Sequence, residues 1–332
     1  MRTHKLGTLS VPAIGLGCMG MSEVYGPADE SESIATIHAA LDAGINLLDT
    51  GDFYAMGSNE MLLRKALHGK TRSEYLLSVK FGGMRDPSGA YVGFDARPNS
   101  VKNFLSYSLK RLGTDYIDIY RPSRIDPTVP IEETVGAISD MVKAGYVRHI
   151  GLSEVGADTI RRAHSVHPVV DLQIEYSLFS RGIEPQILPA CRELGVGVTA
   201  YGVLSRGLLS GHWSREKSAG KRDMRSHMPR FSGDNVDRNL ALVESLRGIA
   251  TSHGCSVAQL AVAWVLSRGS DIVPLVGSRT REQLKEALGA LEVRLSHDDI
   301  ADIEQMVPPG SVAGDRYAPQ QMGTLDSEKY EK

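Results

Sequence analysis

The chain has 332 residues, 42% of them hydrophobic and 23% charged, with a formal net charge of −3. That length buries a large core, and so small a net charge calls for neither nucleic acid nor an anionic membrane as partner. Three scattered cysteines (Cys18, Cys191, Cys255) with no Cys-x-x-Cys point away from a disulfide framework or zinc site and toward a reducing cytosol.

The opening Met1–Gly7 stretch lacks the apolar core of a signal peptide. Thr3–Val11, with Gly7-Thr8 at its centre, reads as a hairpin suited to plug the bottom of a barrel. Ile14–Cys18 is the first apolar strand. It runs through Gly15-Leu16-Gly17-Cys18-Met19-Gly20, which matches G-x-G-x-x-G. The dinucleotide fingerprint requires the last glycine to open a helix. Here a loop follows, and helical residues begin near Glu30. The preferred reading is a strand entering a glycine turn through which backbone approaches a ligand.

From there one pattern recurs: an amphipathic helix, a glycine stop, an apolar strand. The glycines are Gly44, Gly69, Gly113, Gly145, Gly195 and Gly269, each placed to end a helix in the left-handed conformation. The strands after them are Asn46–Asp49, Tyr75–Lys80, Tyr116–Tyr120, Val147–Leu152, Gly197–Ala200 and Ile272–Val276. Asp171–Glu175 fits without a glycine. Val101, Phe104, Leu105, Leu109 and Leu112 share one helix face, as do Ile131, Val135, Ile138 and Val142. The strands are apolar throughout, as strands buried on both faces are. Eight parallel strands alternating with helices over roughly 250–300 residues predict an α/β fold, a (β/α)8 TIM barrel; a doubly wound sheet is the alternative. The longest apolar run, Leu260 to Leu266, is too short to span a bilayer. No Pro/Gly/Ser linker divides the chain, so a single domain is expected, with hairpin 1–13, barrel 14–290 and a C-terminal helix and tail 291–332. The polar segment after Pro308-Pro309 is expected to be a surface segment with a frayed end.

In a barrel, polar residues at the carboxyl ends of strands share one mouth. They are Asp49, Tyr54, Lys80, Ser123, Ser153, Gln173, Glu175, Tyr201 and Gly277. A lysine ending an apolar strand needs a counter-ion if buried, and Asp49 on the adjacent strand offers one. Lys80 would then lower the pKa of Tyr54 from its reference near ~10, giving a proton donor for a developing alkoxide. A structural ion pair is the competing reading.

These residues resemble the aldo-keto reductase superfamily, over nearly the whole chain from Gly15 to about Leu288. The landmarks are Gly44-Ile45-Asn46 with Asp49-Thr50 and Tyr54, Lys80 ending the third strand, and Arg111-Leu112-Gly113-Thr114-Asp115-Tyr116-Ile117-Asp118. Gly145 to Ser153, Gln173 with Tyr176, and Pro274-Leu275-Val276-Gly277-Ser278-Arg279 continue the match. The resemblance implies a (β/α)8 fold, NADPH as cofactor, and Tyr54 as acid with Lys80 and Asp49 behind it. It places the cofactor against Gly17 and Met19, Ser153 and Gln173 at the carboxamide, and Tyr201 on the nicotinamide ring. Leu204 to Gly207 would begin the pyrophosphate loop, Gly277, Ser278 and Arg279 the 2′-phosphate site, and Gln283 and Glu286 the adenine end. Arg279 brings a planar fork to a helix start, where a cation opposes the helix dipole unless an anion binds. Glu154 stands where the family usually has Asn, and so does Ala287. The basic Ser205–Asp234 segment (Arg215, Lys217, Lys221, Arg222, Arg225, Arg230) is either a lid over the cofactor's phosphates or a surface loop.

The fourth family residue is a His in a Tyr-x-x-His-Arg-x-Asp context. Here the stretch is Tyr120-Arg121-Pro122-Ser123-Arg124-Ile125-Asp126, which puts Ser123 in the His position. Serine donates one hydrogen bond but is no acid near neutral pH. Arg121 or Arg124 would compensate if turned into the mouth; His149 lies on the next strand. The expected function is NADPH-dependent reduction of small-molecule aldehydes or activated ketones. The alternatives are an NADPH-binding redox-sensing subunit and reduction of an enone C=C bond. Gly82–Asp95 (with Tyr91 and Phe94), Tyr25, Phe53, Phe81 and Trp213 are the pocket candidates.

Overall fold

The computed structural model describes residues 1–22, 24–214 and 223–329. Its eight long-range strands are β1 (Gly15–Gly17), β2 (Leu47–Gly51), β3 (Leu76–Phe81), β4 (Ile117–Pro122), β5 (Val147–Ser153), β6 (Val169–Glu175), β7 (Gly197–Tyr201) and β8 (Ile272–Gly277). They pair in parallel in chain order, and β8 closes on β1 with Leu275 opposite Gly15 and Gly277 opposite Gly17. The (β/α)8 barrel follows from the sequence pattern. Helices such as α1 (Glu30–Asp42), α2 (Ser58–Ala66) and α3 (Pro98–Leu112) cover the outside.

All six predicted stop glycines have positive φ. Gly113, at φ 69°, shows why: it ends α3 left-handed and its N–H donates to the Leu109 carbonyl, a conformation costly for any residue with a Cβ. Strand alternation sorts the side chains. Lys80 faces inward, while its neighbour Phe81 faces the helices, fully buried and stacked on Tyr120 at 4.4 Å. Phe81 therefore belongs to the outer core and not to a substrate pocket, a correction to the sequence reading.

The hairpin pairs Thr3–Leu6 with Leu9–Pro12. Leu6 and Val11 pack with Leu47, Ile119, Val170, Val273 and Leu275 in one buried cluster. The Lys5 N–H donates to the Ser270 carbonyl at 2.8 Å. A Cβ at Gly197 would stand 2.6 Å from the Leu6 Cα, so the hairpin packs tightly on β7. With the bottom sealed, the open end is the mouth at the carboxyl ends of the strands.

The segment after Pro308-Pro309 departs from the expectation of a frayed surface tail. Asn239 exchanges two hydrogen bonds with the Ala313 backbone, at 2.9 and 2.8 Å. Asp326 Oδ2 accepts from the Gly156 N–H at 3.0 Å and the Thr159 hydroxyl at 2.7 Å. Leu325 is 1% exposed. The tail's polar residues looked solvated because their partners lie far away in sequence. Among the described residues no single helix is long and apolar enough to cross a membrane.

Candidate active site

Inward-facing residues of β2, β3 and β6 converge on one carboxylate. Lys80 Nζ stands 2.5 Å from Asp49 Oδ1, with each side chain 5% exposed. Asp49 Oδ2 accepts from Ser78 Oγ at 2.9 Å and from Gln173 Nε2 at 2.7 Å. Burial pulls the Lys80 ammonium below its ordinary pKa; the charge of Asp49 opposes that and Arg121 adds to it. A second ion pair, Arg121 with Asp171, lies 3.1 Å apart, both side chains fully buried. Arg121 Nη2 donates to Ser78 Oγ at 2.7 Å, so the two pairs share a serine, and Thr199 Oγ1 donates to Asp171. The sequence reading offered Arg121 as a stand-in for the missing His. It is instead committed to Asp171.

Tyr54 follows β2 in a turn whose Ala55 and Met56 have φ of 45° and 54°. Lys80 Nζ is 5.0 Å from the Tyr54 ring centroid. Burial, and then the charge of Asp49, push the Tyr54 phenol well above its ordinary value. This corrects the expectation of a tyrosine brought toward neutrality. Burial outweighs the help of the neighbouring cations, so the phenol stays protonated. Phe53 meets Tyr54 edge-on at 4.9 Å, and Tyr91 and Phe94 continue the aromatic wall. Ser123, just past β4, is 2% exposed with no hydrogen-bond partner for its hydroxyl. His149 lies earlier on β5, away from the mouth, and burial lowers its pKa.

The described non-glycine residues with positive φ are Ala55, Met56, Glu154, Ser205 and Arg206. All five follow the carboxyl ends of β2, β5 or β7, where strain of this kind gathers at functional sites. Glu154 replaces the family's Asn for a visible reason. Its carboxylate meets Arg316 of the tail at 2.8 Å, the Tyr201 hydroxyl at 2.6 Å and the Ser327 hydroxyl at 2.7 Å. Burial alone would raise the Glu154 pKa, but Arg316, helped by Arg124 and Tyr201, holds it far below the carboxylate range. Tyr317 follows, its hydroxyl 2.9 Å from that of Tyr201 and its ring 4.5 Å from the Arg206 guanidinium. Arg316 and Tyr317 were missed from sequence; the one cue was an Asn-to-Glu change on a buried strand end, which demands a cation.

The residues expected along a cofactor fall at the carboxyl ends of β1, β5, β6, β7 and β8 and in the segments after them. Gly17 sits between Asp49 of β2 and Gly277 of β8, and Met19 opens the turn after it. Ser153 is 1% exposed with an unpartnered hydroxyl. Leu204 precedes the left-handed Ser205-Arg206-Gly207 run. Ser278 is buried, and Arg279 reaches the Tyr25 carbonyl at 3.2 Å without an ion pair among the described residues. Thr280 caps helix α9 (Arg281–Gly289), labelled after α4 (Ile131–Lys143), α5 (Ala157–Val166), α6 (Ile187–Leu194), α7 (Asp234–Ser252) and α8 (Val257–Ser267). Gln283 Oε1 accepts from the Arg279 N–H at 2.9 Å, and Glu286 faces His212 at 3.4 Å. In the basic loop, Arg225 pairs with Asp223, and Arg230 is buried against Glu175 and the Phe179 carbonyl. Trp213 packs on Phe231 at 5.1 Å. Arg215, Lys217, Lys221 and Arg222 lie outside the described residues.

Asp52, beside Tyr54, has its pKa pushed up to about 7 by burial and then by the charge of Glu60. Its unfolded value is near ~4, so across that interval the folded chain holds the proton more tightly. The stability this gives is present at low pH and lost as pH rises toward about 7. Asp52→Asn keeps an acceptor for the Gly82 N–H. Relative to wild type it is expected to gain about 2–3 kcal/mol between roughly pH 5 and pH 8. Urea unfolding at both pH values measures this, and a pH-independent difference would show that Asp52 ionises freely.

Comparison with known proteins agrees with this geometry. A profile described as the aldo/keto reductase family matches residues 13–308. A probable aldo-keto reductase of Glycine max is 42% identical over 320 residues, covering 94% of this chain and 91% of the relative. Among solved structures, a glycerol dehydrogenase from Gluconobacter oxydans superposes with a TM-score of 0.83 at 29% identity, covering 93% of this chain and 96% of that one. A holo-form aldo-keto reductase from Bacillus halodurans gives 0.77 at 28% identity, covering 92% and 96%.

Proposed function

The chain belongs to the aldo/keto reductase family, carbonyl oxidoreductases that generally use nicotinamide cofactors, and from that premise we propose that it is an NADPH-dependent reductase of aldehydes or activated ketones. The observation that carries the reading is the buried Lys80–Asp49 pair beside a protonated Tyr54.

The residues present fit the cofactor. Ser153 offers a buried hydroxyl without a partner and Arg279 a guanidinium without an ion pair among the described residues. Ser153, Gln173 and Tyr201 would hold the nicotinamide end, Gly17, Met19, Leu204 and Gly207 the middle. Gly277, Ser278 and Arg279 would take the 2′-phosphate at the start of α9, with Gln283 and Glu286 at the adenine. When bound, the nicotinamide supplies the hydride that reaches the carbonyl carbon.

The chain's own part is the proton. Tyr54 donates it to the carbonyl oxygen, and the nearby Lys80 ammonium steadies the phenolate that remains. Asp49, tied by Ser78 and Gln173, keeps Lys80 in place. Ser123 adds one hydrogen bond in the position of the usual His, directly or through water. One solved relative is a glycerol dehydrogenase, and alcohol oxidation is the same chemistry reversed, with Tyr54 then taking up the proton. The buried free thiols Cys18 and Cys191 suit a reducing cytosol.

Absorbance loss of NADPH and of NADH across aldehydes, ketones, quinones and enones tests this. Aldehyde-dependent NADPH oxidation is expected. Arg279→Ala should raise the KM for NADPH by roughly 10- to 100-fold, with far less effect on NADH. Turnover confined to enones would replace carbonyl reduction by C=C reduction. An NADPH KM unmoved by Arg279→Ala would remove that residue from the phosphate site.

A further inference from the structure

We infer that Arg124 is the docking point for a carboxylate carried by the substrate, so that the preferred substrates are carbonyl compounds that are also acids. This rests on the reductase reading above and narrows its substrate class.

Charge matching around the mouth leaves Arg124 over. Lys80 pairs with Asp49 and Arg121 with Asp171, while Arg206, Arg230 and Arg316 share Glu154, Glu175 and Glu328. Arg124 has no carboxylate partner among the described residues. Its Nη1 donates to the neighbouring Ser123 carbonyl at 2.6 Å, which leaves most of its five N–H donors free for a ligand.

This guanidinium is half-buried and lies two residues past the carboxyl end of β4. Its charge acts on Tyr54, Tyr91 and Tyr201, on Tyr317 of the tail, and on Glu154. Those groups come from five separate stretches of chain around the carboxyl ends of the strands. A recessed cation calls for an anion. Arg85, stacked on the Tyr91 ring at 3.9 Å, also lacks a carboxylate among the described residues and adds the same sign.

A planar fork takes a carboxylate through two parallel hydrogen bonds. A single negative charge suits the site better than a phosphate dianion, whose excess charge would face Glu154 and Glu175. The aromatic rings of Phe53, Tyr54 and Tyr91 supply the apolar wall for the rest of the molecule.

Calorimetric binding of para-formylbenzoate and of its methyl ester to the full chain, with NADP+ present, tests this. The acid is expected to bind roughly 10-fold or more tightly than the ester. Arg124→Gln should erase that ratio, and Arg124→Lys should keep part of it. Equal binding of acid and ester by wild type overturns the inference, as does a preference that survives Arg124→Gln. A loss of kcat on both aldehydes alike in Arg124→Gln, with KM unmoved, would place Arg124 on the reacting carbonyl and overturn the docking role. Acid-selective binding without NADPH oxidation would instead sink the reductase reading and leave Arg124 where it is.

Discussion

Tyr54→Phe is expected to lower turnover of a small aldehyde by on the order of 10²–10⁴-fold while leaving NADPH affinity nearly unchanged. The phenol lies beside Lys80 and burial holds it protonated, and Phe keeps the ring while deleting the proton. The loss should fall on kcat, because the hydroxyl acts on an oxygen whose charge develops only in the transition state. Stopped-flow single-turnover rates, with fluorescence titration of NADPH alongside, separate the two effects. Unchanged single-turnover rates would remove Tyr54 from the chemistry. The Lys80–Asp49 pair would then be a structural ion pair, the reading that competes with it.

Arg316→Met is expected to cost about 3–5 kcal/mol of folding stability, or to release the tail instead. Arg316 is 7% exposed and meets Glu154 at 2.8 Å, Glu328 at 2.6 Å and Glu175 at 3.5 Å. Methionine fills similar volume but leaves two buried carboxylates without that cation. The chain then has two courses: to keep the fold and bear the penalty, or to let residues beyond Pro309 swing away so that water reaches Glu154. Urea denaturation reads the first, and limited proteolysis of the tail reads the second. Adding Glu154→Gln should recover part of the loss, since it removes one of the stranded charges. A single variant within about 1 kcal/mol of wild type, with an equally protease-resistant tail, would show that the ion pair is not what docks the tail.

The barrel was legible because its signals are local. Gly113 ends a helix wherever it falls, and Tyr75–Lys80 is apolar whatever it pairs with. Asp49 and Lys80 were legible as a pair because neighbouring strands in a barrel place their carboxyl ends side by side. What escaped were partnerships between distant stretches. Asp171 and Thr199 sit inside strands that read as apolar, and nothing near Arg121 announced that it would turn toward them. Phe81 was misplaced by a single residue of alternation, since Lys80 beside it faces the mouth. The tail was misread because polar composition is the same for a solvated segment and for one docked through distant partners, as Arg316 and Asp326 are. Tyr54 was misjudged by weighing Lys80 without weighing burial, which raises a phenol's pKa, and then Asp49.

The docked tail also sets an order of events. Glu154 and Glu175 are placed by β5 and β6, in the middle of the chain, yet one of their shared cations arrives from Arg316. While the polypeptide emerges from the ribosome, all eight barrel strands are made before that guanidinium is. Burying Glu154 before that guanidinium is made would strand its charge, so its surroundings remain wet until Arg316 arrives. Contacts of such long sequence separation form late. Closure of this part of the mouth therefore waits on Arg316, and the nascent protein passes through a stage in which the strands are made and Glu154 is still open to water.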